Sequence, residues 1–529
     1  MNLGIEPVHY DFLSCMEDSI VGVAEWANYN YELIFSEDWY FVFNHKINHN
    51  LGSSFGIFNK DIVRRLDKYH GIKIISKKVS SQKLIGIIKR ELKKKQPIMV
   101  SMDSYLCPWD WNFQKKHFHH YFLIIGIDHD ECFHCCDRFF KTNGIITQKN
   151  LIEGFLGDYK IFRFKNKEKT HVKWGQILAQ TINKLKNEAG KLNAFDSMRS
   201  FADSLESLTD LQNEIQGHED FLFMAPLIKN LEDITYGRRR FAKLLKYFAN
   251  ETGLTDLNEI SNSLVIAASQ WANIRTMLIK YAFQDDIADK NQAVMKIREV
   301  ATWEEAVADR VCQIYQKNTP TAGYFSNRTI ISNELSKKNI TPINSRVSFI
   351  DLSPYLNNKA FGETISTDCQ ANLMVTGTYF LKENLPGNQN DVWKIQRMKF
   401  RLPWLYGTDK DNISCNGQKI AVVPGIYQNI MILGCAEWGN YTDKLTLHSV
   451  DGQIEELVIK MTDCLYEPLY GETIAWKGRA VEKIDGRPQL RGGQVYIGAQ
   501  KYPATLKGKI KFVQLPEVPG IHIFAITLA

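Results

Sequence analysis

The sequence predicts a multidomain α+β protein: a mixed α+β domain first, a helical bundle in the middle and an antiparallel β-sandwich at the end. Three observations carry this division. The chain has 529 residues, too many for one hydrophobic core. Only Pro226 lies between Pro108 and Pro320, whereas eleven of the fifteen prolines lie from Pro320 onward, where Asp-Gly and Gly-Gly pairs also gather. The apolar period also changes along the chain, from mixed, to helical, to alternating. The expected boundaries are 1–166 for the mixed domain, 167–320 for the helical domain, 321–344 for a linker and 345–529 for the sandwich.

In the first domain, Cys15 is followed by MEDSIVGVAEWA. Met16, Ile20, Val23, Ala24 and Ala27 form one helical face there, and Glu17 and Asp18 suit a first turn. A helix therefore begins at Cys15. Farther on, Leu84, Ile87, Ile88 and Leu92 form one buried stripe, so the basic run KRELKKKQ reads as a solvated helix face. PIMVSM and HYFLIIGID read as buried strands.

The middle is helical because FAKLLKYF places Phe241, Leu244, Leu245 and Phe248 at i, i+3, i+4 and i+7, and Ile177, Leu178, Ile182 and Leu185 repeat the pattern. The linker is expected in NTPTAGYFSNRTIISNELSKKNITP, which lacks sustained periodicity. At the end, KLTLHSV, then Asp451-Gly452, then QIEELVIKM reads as a hairpin, and VPGIYQNIMILG, KIKFVQLP and IHIFAITL supply further strands.

Composition narrows the function classes. Hydrophobic residues at 44% and charged residues at 23% exclude a disordered chain. A net charge of +6 is mild for this length, and no nucleic-acid partner is expected. The opening MNLGIEPVHYDFL lacks a secretory pattern and no apolar run reaches spanning length, so the expectation is a cytoplasmic protein without membrane attachment. Ten scattered cysteines are expected to be free thiols.

A thiol at a helix N-terminus faces unpaired N–H groups and the positive end of the helix dipole, which suits a nucleophile. The segment HHYFLIIGIDHDECFHCCDRFF pairs with that reading. A histidine opens one strand, a turn follows, and Asp137 ends a second strand, so antiparallel pairing brings His120 and Asp137 together. Cys15, His120 and Asp137 then form a nucleophile, a base and its orienting carboxylate. His117, His119 and His129 crowd the same region. Alternation puts His119 and His120 on opposite faces, and His120 is the one chosen.

Asp103 is a candidate substrate-site residue, with a strand-end cap as its plain alternative. Cys132, His134, Cys135 and Cys136 raise a zinc site, but no second ligand knuckle accompanies them, and buried strand cysteines are preferred; no metal is expected.

YDFLSCMEDSI, SEDWYFVFNHKINHNLGSSFGIF, VSMDSYLCPW and HFHHYFLIIGID with DRFF occur in this order over residues 9–140. The segment resembles the N-terminal domain of the butirosin biosynthesis protein H family, a relative of the papain-like C39 peptidase fold, and RRRFAKLL resembles its following helical domain. The resemblance implies a papain-like catalytic domain that moves an acyl or peptidyl group from a carrier-protein thioester to an amine acceptor in natural-product assembly. Cys15 would form the acyl-enzyme, His120 would act as base and Asp137 would hold the imidazole. No cofactor is implied for this chain, because the phosphopantetheine belongs to the acyl or peptidyl carrier protein. His120 matches the family's position.

Papain-like enzymes commonly carry a glutamine oxyanion donor shortly before the cysteine. His9 to Ser14 contain none, which leaves the Cys15 N–H and an unidentified second donor. The end of the chain, 345–529, resembles β-sandwich modules of bacterial carbohydrate-active enzymes, with Trp404, Trp438 and Trp476 as candidate sugar-stacking or core residues. Two alternatives accompany the transferase. In one, the same triad hydrolyses an amide, peptide or thioester; in the other, the protein is a non-catalytic binder of a glycan or partner.

Overall fold

The computed structural model describes residues 2–44, 50–57, 61–165, 174–186, 192–284, 287–318, 347–385, 392–402, 409–484 and 486–529. The expected linker 321–344 and Trp404 lie outside the described residues. The protein is multidomain α+β, and its chain divides into two compact units. One comprises Met1–Ile47, Ser54–Met198 and Glu232–Ala268; the other comprises Asn48–Ser53, Arg199–Leu231 and Ser269–Ala529. The helix-rich stretch contributes residues to both.

The first unit is built on six strands: β1 (Ile72–Lys78), β2 (Ile98–Asp103), β3 (His119–Ile127), β4 (Phe133–Asp137), β5 (Thr142–Ile146) and β6 (Phe155–Phe164). Their order is β1-β6-β2-β3-β4-β5, with every neighbouring pair antiparallel. The centre of this sheet is buried on both faces, so Ile98 to Met102, with Ser101 bonded to Asp158 O, and Phe122 to Ile125 are all buried. Helix α2 (Ser81–Lys93) presents Leu84, Ile88 and Leu92 to Val100, Phe122, Ile124 and Cys135. Each of those three side chains contributes about 1.5–3 kcal/mol by leaving water.

Helix α1 (Cys15–Trp26) packs against β3. Its burial differs from a single apolar face, since every residue from Glu17 to Ala24 is buried. The acidic residues have partners inside the unit. Glu17 lies 3.2 Å from Arg240 and closes a capping box with Ser14. Asp18 accepts from Arg138 at 3.3 Å and lies 2.5 Å from His9 Nδ1. The absence of a side chain at Gly22 lets Arg138 cross the helix, because a Cβ there would stand 2.4 Å from Arg138 Cδ.

The second unit contains the β-sandwich. One sheet orders Ile413–Ser414, Ile521–Leu528, Asn429–Ala436, Val495–Pro503 and Thr473–Gly478, with Ser348–Phe349 also paired to Ile521–Leu528. The other orders Lys419–Gly425, Ile510–Gln514, Tyr441–Ser449 and Ile454–Met461. Ile430, Ile432, Ile523 and Ile526 from the first meet Leu445, Leu447, Ile459 and Val513 from the second in one core. The expected hairpin is present, with Gly452 at φ +87° in its turn.

Strand Ile521–Leu528 is buried at every position, against the alternation expected for a one-faced strand. Its other face, with Phe524 and Ala525, packs into a second core containing Phe361, Phe380 and Trp476. Trp476 is thus a core residue, and its indole N–H donates to Glu383 O at 2.6 Å. Trp438 is half-buried, at φ +58°. Among the described residues, no helix is long and apolar enough to cross a membrane.

Candidate functional site

The start of α1 is fixed by local chemistry. Ser14 is the N-cap; its hydroxyl accepts from Glu17 N at 3.3 Å while the Glu17 carboxylate accepts from Ser14 N at 2.9 Å. Cys15 is therefore the first helical residue, half-buried, with a backbone N–H that has no intrahelical acceptor. The segment leading into it is also held. Arg239 binds Asp11, and Arg240 Nε donates to Phe12 O at 2.9 Å. Both arginines sit on the helix Pro226–Thr252, in the motif that the sequence offered only as a family likeness.

The histidine and the aspartate come from the paired strands. Cys136 opposes Leu123, and one further step of that register sets Asp137 opposite Phe122, diagonal to His120. His120 Nε2 lies 2.6 Å from Asp137 Oδ2, and both residues are buried. This leaves Nδ1 for the sulfur, and Cys15 is near enough to act electrostatically on the imidazole. Burial by itself would favour neutral His120. The Asp137 carboxylate and Cys15 outweigh it and hold the imidazole well above its ordinary value, so the protonated ring is favoured. The structure thus hydrogen-bonds His120 to Asp137 and sets Cys15 beside the imidazole.

Two further residues complete the setting of Asp137. Trp109 Nε1 donates to Asp137 Oδ2 at 2.8 Å, and Phe140 N donates to Oδ1 at 3.3 Å. Counting His120, three N–H groups converge on one carboxylate. Trp109 stands edge-on to Phe122 and lies over Gly144 in β5. Sequence reasoning missed it. The available signal was a tryptophan in the Cys-Pro-Trp turn after β2 together with a glycine in a strand, but only their packing connects the two.

The remaining candidates separate clearly. Asp103 pairs with His119 across β2 and β3, so alternation turns both away from the face of His120. The Asp103 carboxylate caps the following turn through Tyr105 N at 3.0 Å and lies 2.6 Å from His117 Nδ1. His119 is exposed beside Tyr121, and His129 is exposed in a turn. Cys135 and Cys136 are buried in β4, while Cys132 and His134 are half-buried. Among the described residues, no group of three or more His, Cys, Asp and Glu side chains could hold a metal ion.

Residues 348–529 match the model of the AziU2-like beta-sandwich domain family. The C-terminal β-sandwich expected from the sequence is therefore present, and it is similar to this family. No curated protein matches the chain.

Proposed function

We propose that the protein is a cysteine-dependent acyltransferase with a papain-like catalytic domain, which takes an acyl or peptidyl group from a carrier-protein thioester and delivers it to an amine. The observation that carries this reading is the line from Cys15 through His120 to an Asp137 that accepts three N–H bonds. A thiol at a helix start, paired with an oriented imidazole, is an arrangement for attack on a carbonyl.

In the first half-reaction the Cys15 proton resides on His120, in keeping with its favoured protonated ring, and the thiolate attacks the thioester carbonyl. The Cys15 N–H faces the developing oxyanion, as the first free donor of α1. Collapse breaks the carbonyl–sulfur bond to the pantetheine arm, whose thiolate recovers the proton from His120. An acyl-Cys15 thioester remains. In the second half-reaction His120 accepts the proton of the attacking amine, a carbon–nitrogen bond forms, and Cys15 leaves as thiolate beside the protonated ring. The pantetheine arm belongs to the donor.

The test is intact-mass analysis after incubation with an acyl-pantetheine thioester. The expected result is a single acyl adduct on Cys15, absent from Cys15→Ala and discharged faster when a primary amine is added. Release of free acid at a rate indifferent to amine would replace transfer by hydrolysis. No adduct, together with slow alkylation of Cys15 by iodoacetamide, would overturn the catalytic reading altogether.

A further inference from the structure

The turn that follows β2 sets three consecutive residues around the His120–Asp137 pair. Trp109 donates to Asp137 Oδ2 at 2.8 Å. Trp111 stands edge-on to Phe140 with ring centroids 5.3 Å apart, and the Phe140 ring is in turn 5.3 Å from that of His120, while its N–H donates to Asp137. Between the two tryptophans lies Asp110, only 6% exposed.

Local structure accounts for one of its two oxygens. Oδ1 accepts from Asn112 N at 2.8 Å and from Asn112 Nδ2 at 3.0 Å, which closes the turn. Oδ2 takes no hydrogen bond among the described residues, and no lysine or arginine there forms an ion pair with it. A buried carboxylate without a counter-charge is costly, and burial does push the Asp110 carboxyl up from its usual range. The positive group near enough to act on it is His120, while Asp137 repels it. Around the imidazole itself, Cys15 comes from α1 and Asp137 from β4, and Phe122, Phe139 and Phe140 supply apolar rings.

We infer that Asp110 is a positioning residue for His120: a second buried carboxylate, fixed by its own turn, that helps Asp137 hold the imidazole in the charged form from which the pantetheine thiolate recovers its proton. Coulomb attraction is mutual, so the charge that relieves Asp110 is the charge that Asp110 maintains. Asp137 orients the ring by a direct bond, whereas Asp110 acts through space. The catalytic meaning rests on the role proposed for Cys15 and His120; the pairing of charges does not.

NMR titration of the histidine-labelled full chain tests it, in a Cys15→Ala background so that the thiol does not titrate with the ring, and with His120→Gln to assign the signal. Asp110→Asn keeps the shape and the Oδ1 acceptor and should lower the His120 midpoint by about 0.5–1 in pH. Asn112→Ala loosens the turn but keeps the charge, and should move the midpoint less than about half as far. With Cys15 intact, Asp110→Asn should move the alkaline limb of the acylation profile down by a like amount. A midpoint within about 0.2 of the parental value, or equal displacements in Asp110→Asn and Asn112→Ala, would overturn the inference. A displaced midpoint in a protein that never acylates would sink the reaction proposed for Cys15 and leave the charge pairing supported.

Discussion

Gly144→Ala is a sharp test of how the site is held. The backbone at Gly144 is not in the left-handed region, so alanine is conformationally acceptable there. The obstacle is Trp109, because a Cβ at Gly144 would stand 2.1 Å from Trp109 Cε3. Carbon atoms in contact sit about 3.5–4.0 Å apart, so the indole must retreat by about 1.5 Å. A 2.8 Å hydrogen bond from Trp109 Nε1 to Asp137 does not survive such a shift. A hydrogen bond to a charged group is worth about 1.5–3 kcal/mol, and each 1.36 kcal/mol on a barrier is about tenfold in rate. Acylation of Cys15 should therefore slow by about 10- to 100-fold, with an overpacking loss of about 1–3 kcal/mol in urea denaturation. Intact-mass kinetics with an acyl-pantetheine thioester give the rate. Trp109→Phe removes the N–H without crowding Gly144 and should slow acylation to a similar extent. A folded Gly144→Ala protein that acylates at the parental rate would refute the reasoning. So would a slow Gly144→Ala beside a parental Trp109→Phe, because the loss would then come from packing alone.

Asp137→Asn should remove the partner that outweighs burial of His120 and slow acylation by about 100-fold or more. The same pair makes stability depend on pH. Because His120 titrates above its unfolded value of about 6.5, its contribution is complete below about pH 6.5 and is lost as pH rises through the folded value, so the parental urea midpoint should fall over that window and the Asp137→Asn midpoint should not. Arg138→Met should cost about 3–5 kcal/mol, read from denaturant unfolding, since Asp18 would be left buried without its guanidinium and α1 would lose the side chain that crosses Gly22. Asp103→Ala should change the acylation rate less than about twofold while lowering stability by about 1 kcal/mol, as expected of a turn cap on the far face of the sheet.

Local chemistry was enough to read the start of α1, the pairing of His120 with Asp137, the hairpin around Asp451-Gly452 and the β-sandwich at the chain end. Each depends on near neighbours or on a period that one stretch of chain carries by itself: Ser14 and Glu17 cap their own turn, and a tight connection between strands dictates which residues face each other. What surrounds those residues was decided by contacts distant in sequence. Arg138 reaches Asp18 and Glu25 across more than a hundred positions, and Arg239 and Arg240 reach Asp11 and Phe12 across more than two hundred. No periodicity announces such a pair, because a charged residue reads as solvated until a counter-charge is buried beside it. For the same reason the unbroken burial of α1, the double-sided packing of Ile521–Leu528 and the indole over Gly144 belong to the tertiary structure. They arise from which surfaces meet, and a sequence records the surfaces without recording their meeting.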